Sequence, residues 1–181
     1  MNEPAAVNVR PMRLVLMGVS GCGKSTVGEG LAAHLGWRFV EGDRLHPPEN
    51  VAKMAAGQPL DDADRAGWLA TLADLLADAA RTGQGLVVSC SALKRAYRDR
   101  LREGDAQALF VHLDGSRDLI AARIAARTHM YMPASLLESQ FAALQAPEPD
   151  EQALSLSVQQ PPAELIQRIE LHLQAQACPT P

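Results

Sequence analysis

Short apolar runs alternate along the chain with longer segments in which apolar residues recur every three or four positions. The first run is Arg13–Met17, and Val27, Leu31 and Leu35 follow it at a spacing of four residues. A short apolar run is typical of a buried strand, and apolar residues four apart are typical of one helix face. The pattern therefore predicts a strand that leads directly into a helix.

The same alternation continues along the chain. Four more strands are predicted, at residues 37–41, 85–90, 108–113 and 153–158. Further helices are predicted at residues 47–56, 61–82, 93–102, 116–127, 134–145 and 162–175. Asp61 or Asp62 can cap the helix at 61–82, and Ser116 can cap the helix that starts there. Strands separated by helices predict an α/β fold with a parallel sheet covered on both faces.

Composition narrows the class of protein. The chain has 181 residues, which suits a single domain over residues 1–181, with frayed ends at about 1–11 and 176–181. The formal net charge of −4 gives no basic field that would attract nucleic acid. No apolar run approaches the roughly 18 residues of a membrane helix. Three cysteines without zinc-site spacing indicate reduced thiols and a cytoplasmic location.

Between the first predicted strand and helix, the chain carries the run GVSGCGKST at residues 18–26. This run fits G-x-x-x-x-G-K-[ST], the phosphate-binding P-loop, in the strand–loop–helix context that the motif requires. Backbone N–H groups, a helix N-terminus and a lysine then surround a polyphosphate. We expect nucleotide binding by Gly18, Ser20, Gly21, Cys22, Gly23, Lys24, Ser25 and Thr26. Lys24 is also a catalytic candidate, Ser25 is placed to bind Mg²⁺, and Cys22 is expected to be a small filler.

Two acids follow the second predicted strand, in the run Glu41-Gly42-Asp43, and His46 comes shortly after. Side chains two apart on a strand point to the same side, so the two carboxylates can share a site. Phosphoryl transfer to an alcohol needs a group that positions the nucleophile. We expect Asp43 to be that catalytic, substrate-contacting group, Glu41 to help hold Mg²⁺ and His46 to bind substrate. The alternatives are a helix cap, a solvated acid and an ordinary loop histidine.

Residues with hydroxyl side chains lie at the end of the third predicted strand, and residues with cationic side chains follow them. Lys94 and Arg98 are four residues apart and therefore share one face of the next helix. We expect both to bind a polar, anionic substrate, although a solvated basic face is the alternative. No Asp ends this strand, so the usual acidic partner of Mg²⁺ in many P-loop proteins is missing there. Glu41 and Asp43 are expected to take its place.

Arg123 and Arg127 are also four residues apart, near the end of a predicted helix that leads into a break in the pattern. A mobile lid at about residues 127–133 would bring such guanidinium groups to the transferring phosphate, where they spread transition-state charge. We expect both to contact the nucleotide, with Arg127 the stronger catalytic candidate. The alternative is that they complement the dipole of a last helical turn.

Several of these stretches together resemble the gluconate kinases, a branch of the P-loop small-molecule kinases. The likeness covers about residues 13–175. It is carried by residues 17–25, Gly42-Asp43 with His46-Pro47, residues 59–62, Asp64-Arg65 with Trp68-Leu69, residues 90–94, Tyr97-Arg98-Asp99, Leu101-Arg102, Ser139-Gln140-Phe141, Leu144-Gln145 and Pro147. The P-loop alone is typical of a superfamily, whereas the Gly-Asp-x-x-His-Pro and Cys-Ser-Ala-Leu-Lys runs are much more specific.

The resemblance implies an adenylate-kinase-like core with a five-stranded parallel sheet and a lid. It implies transfer of the γ-phosphoryl group of ATP to the 6-hydroxyl of D-gluconate, with Mg²⁺ as cofactor and a homodimer as a possible assembly. Asp43 would position or deprotonate that hydroxyl, with His46, Lys94 and Arg98 near the sugar acid. One departure is visible: Met130 stands where the family lid commonly has His, and His129 is displaced by one position.

Other functions stay open at this point. A shikimate-type kinase is the alternative within enzymes, because Glu41-x-Asp43 resembles its acidic pair. A GTPase switch would need an Asn-Lys-x-Asp run, which the chain lacks. A binding module without turnover would bind ATP and transfer phosphate to no small acceptor.

Overall fold

A computed structural model describes residues 9–126 and 134–177 of the chain. Its centre is a five-stranded sheet in the order β2-β3-β1-β4-β5, and every strand pair is parallel. The strands are β1 Arg13–Met17, β2 Arg38–Glu41, β3 Leu86–Ser89, β4 Leu109–Asp114 and β5 Ala153–Ser157. The predicted α/β class and the five-stranded parallel sheet are thus confirmed.

The helices follow the predicted order and differ from the predicted bounds by a few residues at most. They are α1 Lys24–Leu35, α2 Pro48–Ala55, α3 Asp62–Arg81, α4 Arg95–Arg102, α5 Arg117–Ala125, α6 Ala134–Ala143 and α7 Pro162–Ala177. A short 3-10 helix, Gly42–Leu45, was not predicted. Within the described residues, none of the helices is long and apolar enough to cross a lipid bilayer.

Alternate side chains of the strands enter two separate apolar cores. Leu14 and Leu16 of β1 face a core built with α1, α5, α6 and α7. Val15 and Met17 face a second core built with α3 and α4. The whole of β1 beyond Arg13 is buried, as expected for a central strand of a parallel sheet covered on both faces. This burial fixes the point at which the chain leaves β1 and enters the glycine-rich loop.

Side chains cap the N-termini of α3 and α5. The side chain of Asp61 accepts a hydrogen bond from the Asp64 N–H at 2.7 Å, and Asp64 accepts one from the Asp61 N–H at 3.0 Å. This capping box satisfies the start of α3. Ser116 caps α5 by accepting from the Leu119 N–H. Both capping predictions are confirmed.

Candidate active site

The start of α1 is open, unlike the capped starts of α3 and α5. Its N-cap residue is Gly23, with φ of 103°, and no side chain bonds to the free N–H groups of the first turn. That turn also contains no acidic residue. Unpaired N–H groups and the positive end of the helix dipole favour an anion. The loop is therefore built to receive phosphate, as its sequence predicts.

Lys24 lies at the first position of this helix and is buried. Its Nζ donates hydrogen bonds to the carbonyl oxygens of Gly18, at 3.0 Å, and Val19, at 3.1 Å. These bonds hold the lysine side chain against the backbone at the start of the loop. Cys22 is also buried and has no disulfide partner among the described residues. Its position agrees with the expectation of a small filler inside the loop.

A cavity of about 340 Å³ adjoins the far side of the loop. Gly21, Cys22, Gly23 and Thr26 form one wall, and Arg123, Gln160, Pro162 and Leu165 belong to the other. The Arg123 guanidinium donates a hydrogen bond to the Val158 carbonyl oxygen, which holds it beside this cavity. Arg123 thus lies where a nucleotide on the loop could reach it. Arg127 and the predicted lid at residues 127–133 lie outside the described residues.

The end of β2 is joined to β3 through side chains. Glu41 pairs in register with Ser89, and the Ser89 hydroxyl donates a hydrogen bond to the Glu41 carboxylate. The Gly42 N–H donates to the same hydroxyl oxygen at 3.2 Å. A side chain at Gly42 would place Cβ 2.1 Å from the Ser89 carbonyl oxygen, so glycine is required for this close approach. Glu41 is therefore oriented by a buried serine.

Asp43 lies beyond the strand. β2 ends at Glu41, and Asp43 is in the 3-10 helix that follows, where it is exposed. The expectation that both acids share a strand face is therefore wrong. The turn begins at Gly42, whose carbonyl oxygen accepts a hydrogen bond from the Trp68 indole N–H at 2.8 Å. A buried tryptophan of α3 thus helps to fix the backbone that carries Asp43.

His46 is buried against the same tryptophan. Its ring stacks on Trp68, with ring centres 4.0 Å apart and planes inclined by 20°. The Asn50 amide lies 3.3 Å from Nδ1 and can donate to it, which would leave the imidazole proton on Nε2. Burial lowers the pKa of His46 below its ordinary value, although the nearby Asp43 carboxylate opposes that shift. The side chain is therefore neutral at pH 7 and can donate one hydrogen bond through Nε2.

Lys94 belongs to a network at the start of α3. Its Nζ donates to the Asp62 carboxylate at 2.6 Å, and the Tyr97 hydroxyl donates to the same carboxylate oxygen. The hydrogen bond with Asp62 raises the pKa of Lys94, and the one with Lys94 lowers the pKa of Asp62. Lys94 therefore remains charged but is already paired with an acid at the edge of the site.

Arg98 does not share this environment. It is fully buried, and its Nε and Nη2 donate to the two carboxylate oxygens of Glu151 at 2.6 and 2.7 Å. Its Nη1 donates to the carbonyl oxygens of Ala92, Leu93 and Gln145. Every nitrogen of the guanidinium is thus bound inside the protein. The prediction that Lys94 and Arg98 share a helix face is wrong, because Lys94 precedes α4 as its extended N-cap residue. The surroundings of Arg98 indicate a structural role.

Arg65 of α3 is a candidate that sequence reasoning missed. Its guanidinium lies 5.6 Å from the centre of the Tyr97 ring, and its charge lowers the pKa of His46 in part. Its Nε is buried and has no hydrogen-bond partner within the described residues. A guanidinium with one donor left unpaired near His46 makes Arg65 a candidate for contacting an anionic group of a ligand. The sequence signal for Arg65 is its position, since it is a cation in the apolar stripe that continues with Trp68, Leu69 and Leu72.

Oxygen donors are available for a magnesium ion. Ser25 is exposed at the start of α1, and Glu41 is partly buried at the end of β2. In the described part of the chain, no group of three or more His, Cys, Asp or Glu side chains is arranged to hold a metal. Mg²⁺ bound with nucleotides commonly takes its ligands from phosphate, water and one or two protein oxygens. The residues present fit that kind of site.

Comparison with known proteins identifies the family. A model described as shikimate kinase matches residues 20–169. A gluconokinase of Gluconobacter oxydans is 49% identical over 170 residues, which cover 94% of this chain and 96% of that protein. The thermoresistant gluconokinase of Escherichia coli is 45% identical over 148 residues, covering 81% and 85%. The chain belongs to the gluconokinase family.

A solved structure supports the same assignment. The gluconokinase of Sinorhizobium meliloti superposes with a TM-score of 0.86 at 45% identity, covering 94% of this chain and 95% of that one. The shikimate kinase model therefore describes the wider kinase fold to which gluconokinases belong, and the high identities favour the narrower family. The alternative of a shikimate-type kinase is less well supported.

Proposed function

We propose that this protein transfers the γ-phosphoryl group of ATP to the 6-hydroxyl of D-gluconate and forms 6-phospho-D-gluconate. The observation that carries the proposal is the placement of an open P-loop helix at the end of β1, with Asp43, His46 and Arg65 near the ends of the neighbouring strands. Membership of the gluconokinase family supplies the acceptor. The arrangement supports a donor site and an acceptor site on one edge of the sheet.

The donor side uses backbone groups and one lysine. The open N–H groups of α1 would hold the phosphates, and Lys24 would exchange its bonds to Gly18 and Val19 for bonds to phosphate oxygens. The cavity beside Gly21 and Arg123 suits the nucleoside because apolar side chains, among them Val27, Pro162 and Leu165, line part of it. Ser25 and Glu41 would help to hold Mg²⁺, which supplies charge neutralisation of the phosphates when it is bound.

Asp43 is the group that would act on the acceptor. It is exposed at the first turn of the 3-10 helix. The backbone of Gly42, directly before it, is held by the hydrogen bond that its N–H donates to Ser89 and by the one that its carbonyl oxygen accepts from Trp68. An exposed carboxylate on a fixed backbone can accept the hydroxyl proton as the oxygen attacks the phosphorus. His46 would donate a hydrogen bond to the sugar acid through Nε2. Asp43 thus aligns the nucleophile, and His46 helps to orient the acceptor chain.

Arg65 is our candidate for the carboxylate of gluconate. Lys94 and Arg98 already have acidic partners, Asp62 and Glu151, whereas the buried Nε of Arg65 has no hydrogen-bond partner within residues 9–126 and 134–177. A charged donor left without a partner in a partly buried site costs free energy that a bound carboxylate would recover. The described geometry therefore favours Arg65 over the two cations that the sequence pattern suggested.

The function is tested by ADP release with gluconate, shikimate and uncharged polyols as acceptors. We expect turnover that depends on gluconate and is at least tenfold less efficient with the others. Turnover with shikimate alone would favour the alternative enzyme, and ATP binding without turnover on any acceptor would indicate a silent binding module. Either result would overturn the proposal.

Arg65 is tested with Arg65→Met. Loss of a charged hydrogen bond should raise the KM for gluconate about 10- to 100-fold while the KM for ATP changes little. Arg81→Met is the matched control, because Arg81 is an exposed cation in the last turn of the same helix. An unchanged KM for gluconate in Arg65→Met would remove Arg65 from the acceptor site.

A further inference from the structure

A glutamine from the C-terminal half of the chain is bonded to the P-loop. The Ser20 N–H donates a hydrogen bond to Oε1 of Gln140 at 2.7 Å. The amide nitrogen of Gln140 donates in turn to the Ser20 hydroxyl at 3.0 Å. Both polar ends of one amide therefore bind one loop residue that is 120 positions away in sequence. Such a two-point contact fixes both the backbone and the side chain of Ser20.

The helix that carries Gln140 is itself held firmly. Leu137, one turn earlier in α6, is buried in the same core as Ile120 and Ile124 of α5. Beyond the end of α6, the Gln145 N–H donates to the Leu93 carbonyl oxygen at 2.8 Å, in the loop between β3 and α4. α6 is thus anchored to the core on one side and to the acceptor side of the sheet on the other. Gln140 has a rigid support from which to position the loop.

Ser20 lies at a specific end of the loop. The cavity that suits the nucleoside borders the later loop residues, from Gly21 to Thr26. The acceptor candidates Asp43 and Arg65 lie on the opposite side, near the ends of β2 and β3. Because the transferred phosphate must lie between nucleoside and acceptor, the early loop residues are those nearest the terminal phosphate. Gln140 therefore acts on the part of the loop that distinguishes a triphosphate from a diphosphate.

We propose that Gln140 is a positioning residue for the phosphoryl donor, which fixes Ser20 so that the loop is shaped to receive the terminal phosphate of ATP. The inference rests on the donor half of the proposed function and deepens it. Gln140 itself touches Ser20 and not the reacting atoms. Replacing Gln140 should therefore change the affinity for ATP relative to the affinity for ADP.

The test compares binding of Mg²⁺-ADP and of a non-hydrolysable Mg²⁺-ATP analogue by calorimetry, without acceptor. Two hydrogen bonds of ordinary net strength correspond to about 5- to 100-fold in affinity. We expect Gln140→Ala to weaken binding of the triphosphate analogue within that range and to weaken binding of ADP by less than about threefold. An equal loss for both nucleotides, or no loss for either, would overturn the proposal.

A second variant keeps a side chain of the same size at position 140, so that its effect on binding does not arise from a cavity in the fold. In Gln140→Glu, two carboxylate oxygens can accept from the N–H and O–H of Ser20, so the contact is kept while a negative charge is added. We expect triphosphate binding weaker than that of the wild type, by a factor that decreases as salt is raised, because screening reduces the added repulsion. Wild-type binding of the triphosphate by this variant at low salt would contradict the inference.

The matched control is Gln174→Ala. Gln174 is an exposed glutamine of α7 whose amide bonds to Glu170 in the same helix, and its loss should leave both nucleotide affinities unchanged. Since no acceptor is present, absence of gluconate turnover would refute the proposed function without affecting this result. Conversely, normal nucleotide preference in both Gln140 variants would refute the positioning role and leave gluconate phosphorylation standing.

Discussion

Replacing Glu151 with glutamine should destabilise the fold without altering the affinity for gluconate. Glu151 and Arg98 form an ion pair whose side chains are 1% and 0% exposed. Removing the carboxylate charge leaves the guanidinium charged, buried and poorly compensated. Breaking a buried pair in this way costs about 3–5 kcal/mol. A loss of that size in the free energy of unfolding is expected for Glu151→Gln at pH 7.

The same ion pair has a pH signature. The hydrogen bonds from Arg98 lower the pKa of Glu151 from 4.5 to about 2. A carboxyl group whose folded pKa is depressed stabilises the fold above its unfolded pKa and loses that contribution as pH falls toward the folded value. The shift corresponds to about 3 kcal/mol in all, of which about 2 kcal/mol is lost between pH 5 and pH 3. Because glutamine cannot titrate, the difference in the free energy of unfolding between wild type and Glu151→Gln should narrow by about 2 kcal/mol between pH 5 and pH 3.

Urea unfolding at pH 7, 5 and 3 measures the loss of stability and its pH dependence. Steady-state kinetics at pH 7 measure the KM for gluconate. Glu148→Gln is the matched control, because Glu148 forms an exposed ion pair with Arg95 that should contribute less than about 1 kcal/mol. The reasoning would be refuted by a Glu151→Gln protein of normal stability with a raised KM for gluconate. That result would return Arg98 to the acceptor site.

Three further substitutions test the donor loop and the turn after β2. Lys24→Ala should abolish turnover and weaken ATP binding, measured by calorimetry; unchanged kinetics would contradict the P-loop role. Asp43→Asn should keep ATP binding while kcat falls about 10²- to 10⁴-fold, and near-normal turnover in rapid-quench assays would remove Asp43 from catalysis. Gly42→Ala should cost about 1–3 kcal/mol in urea unfolding, because its Cβ would collide with the Ser89 carbonyl oxygen; wild-type stability would show that the contact relaxes freely.

Local patterns in the sequence were sufficient to predict the fold class and the succession of helices and strands. Apolar runs predict β1, β3 and β4 because these strands are almost entirely buried. The caps Asp61 and Ser116 use side chains adjacent in sequence to the helices they start. The P-loop was also predictable, since all of its parts lie in one run of residues. These features share one property: the interactions that determine them are local or depend on burial alone.

The acceptor side was harder to predict because its partners are distant in sequence. The spacing of Lys94 and Arg98 predicts one shared helix face, but Lys94 precedes α4 as its extended N-cap residue. Arg98 pairs with Glu151, 53 residues away, and Lys94 pairs with Asp62, 32 residues away. No local pattern encodes those partners. The sequence predicts that Asp43 shares a strand face with Glu41, because a one-turn 3-10 helix gives little periodic signal. Its position instead depends on Trp68, which lies on α3 and bonds to the backbone of Gly42.

The pairing of charges around the acceptor site has a consequence for specificity. Acids neutralise Lys94 and Arg98 within the protein, so these cations hold α4 in place and contribute little net attraction to a ligand. Arg65 keeps a buried donor unpaired within the described ranges, next to a histidine that is neutral at pH 7. A guanidinium with one unpaired donor beside a neutral histidine would favour an acceptor with a negative charge and several hydroxyls. A sugar acid has that chemistry, whereas an uncharged polyol would leave Arg65 unsatisfied.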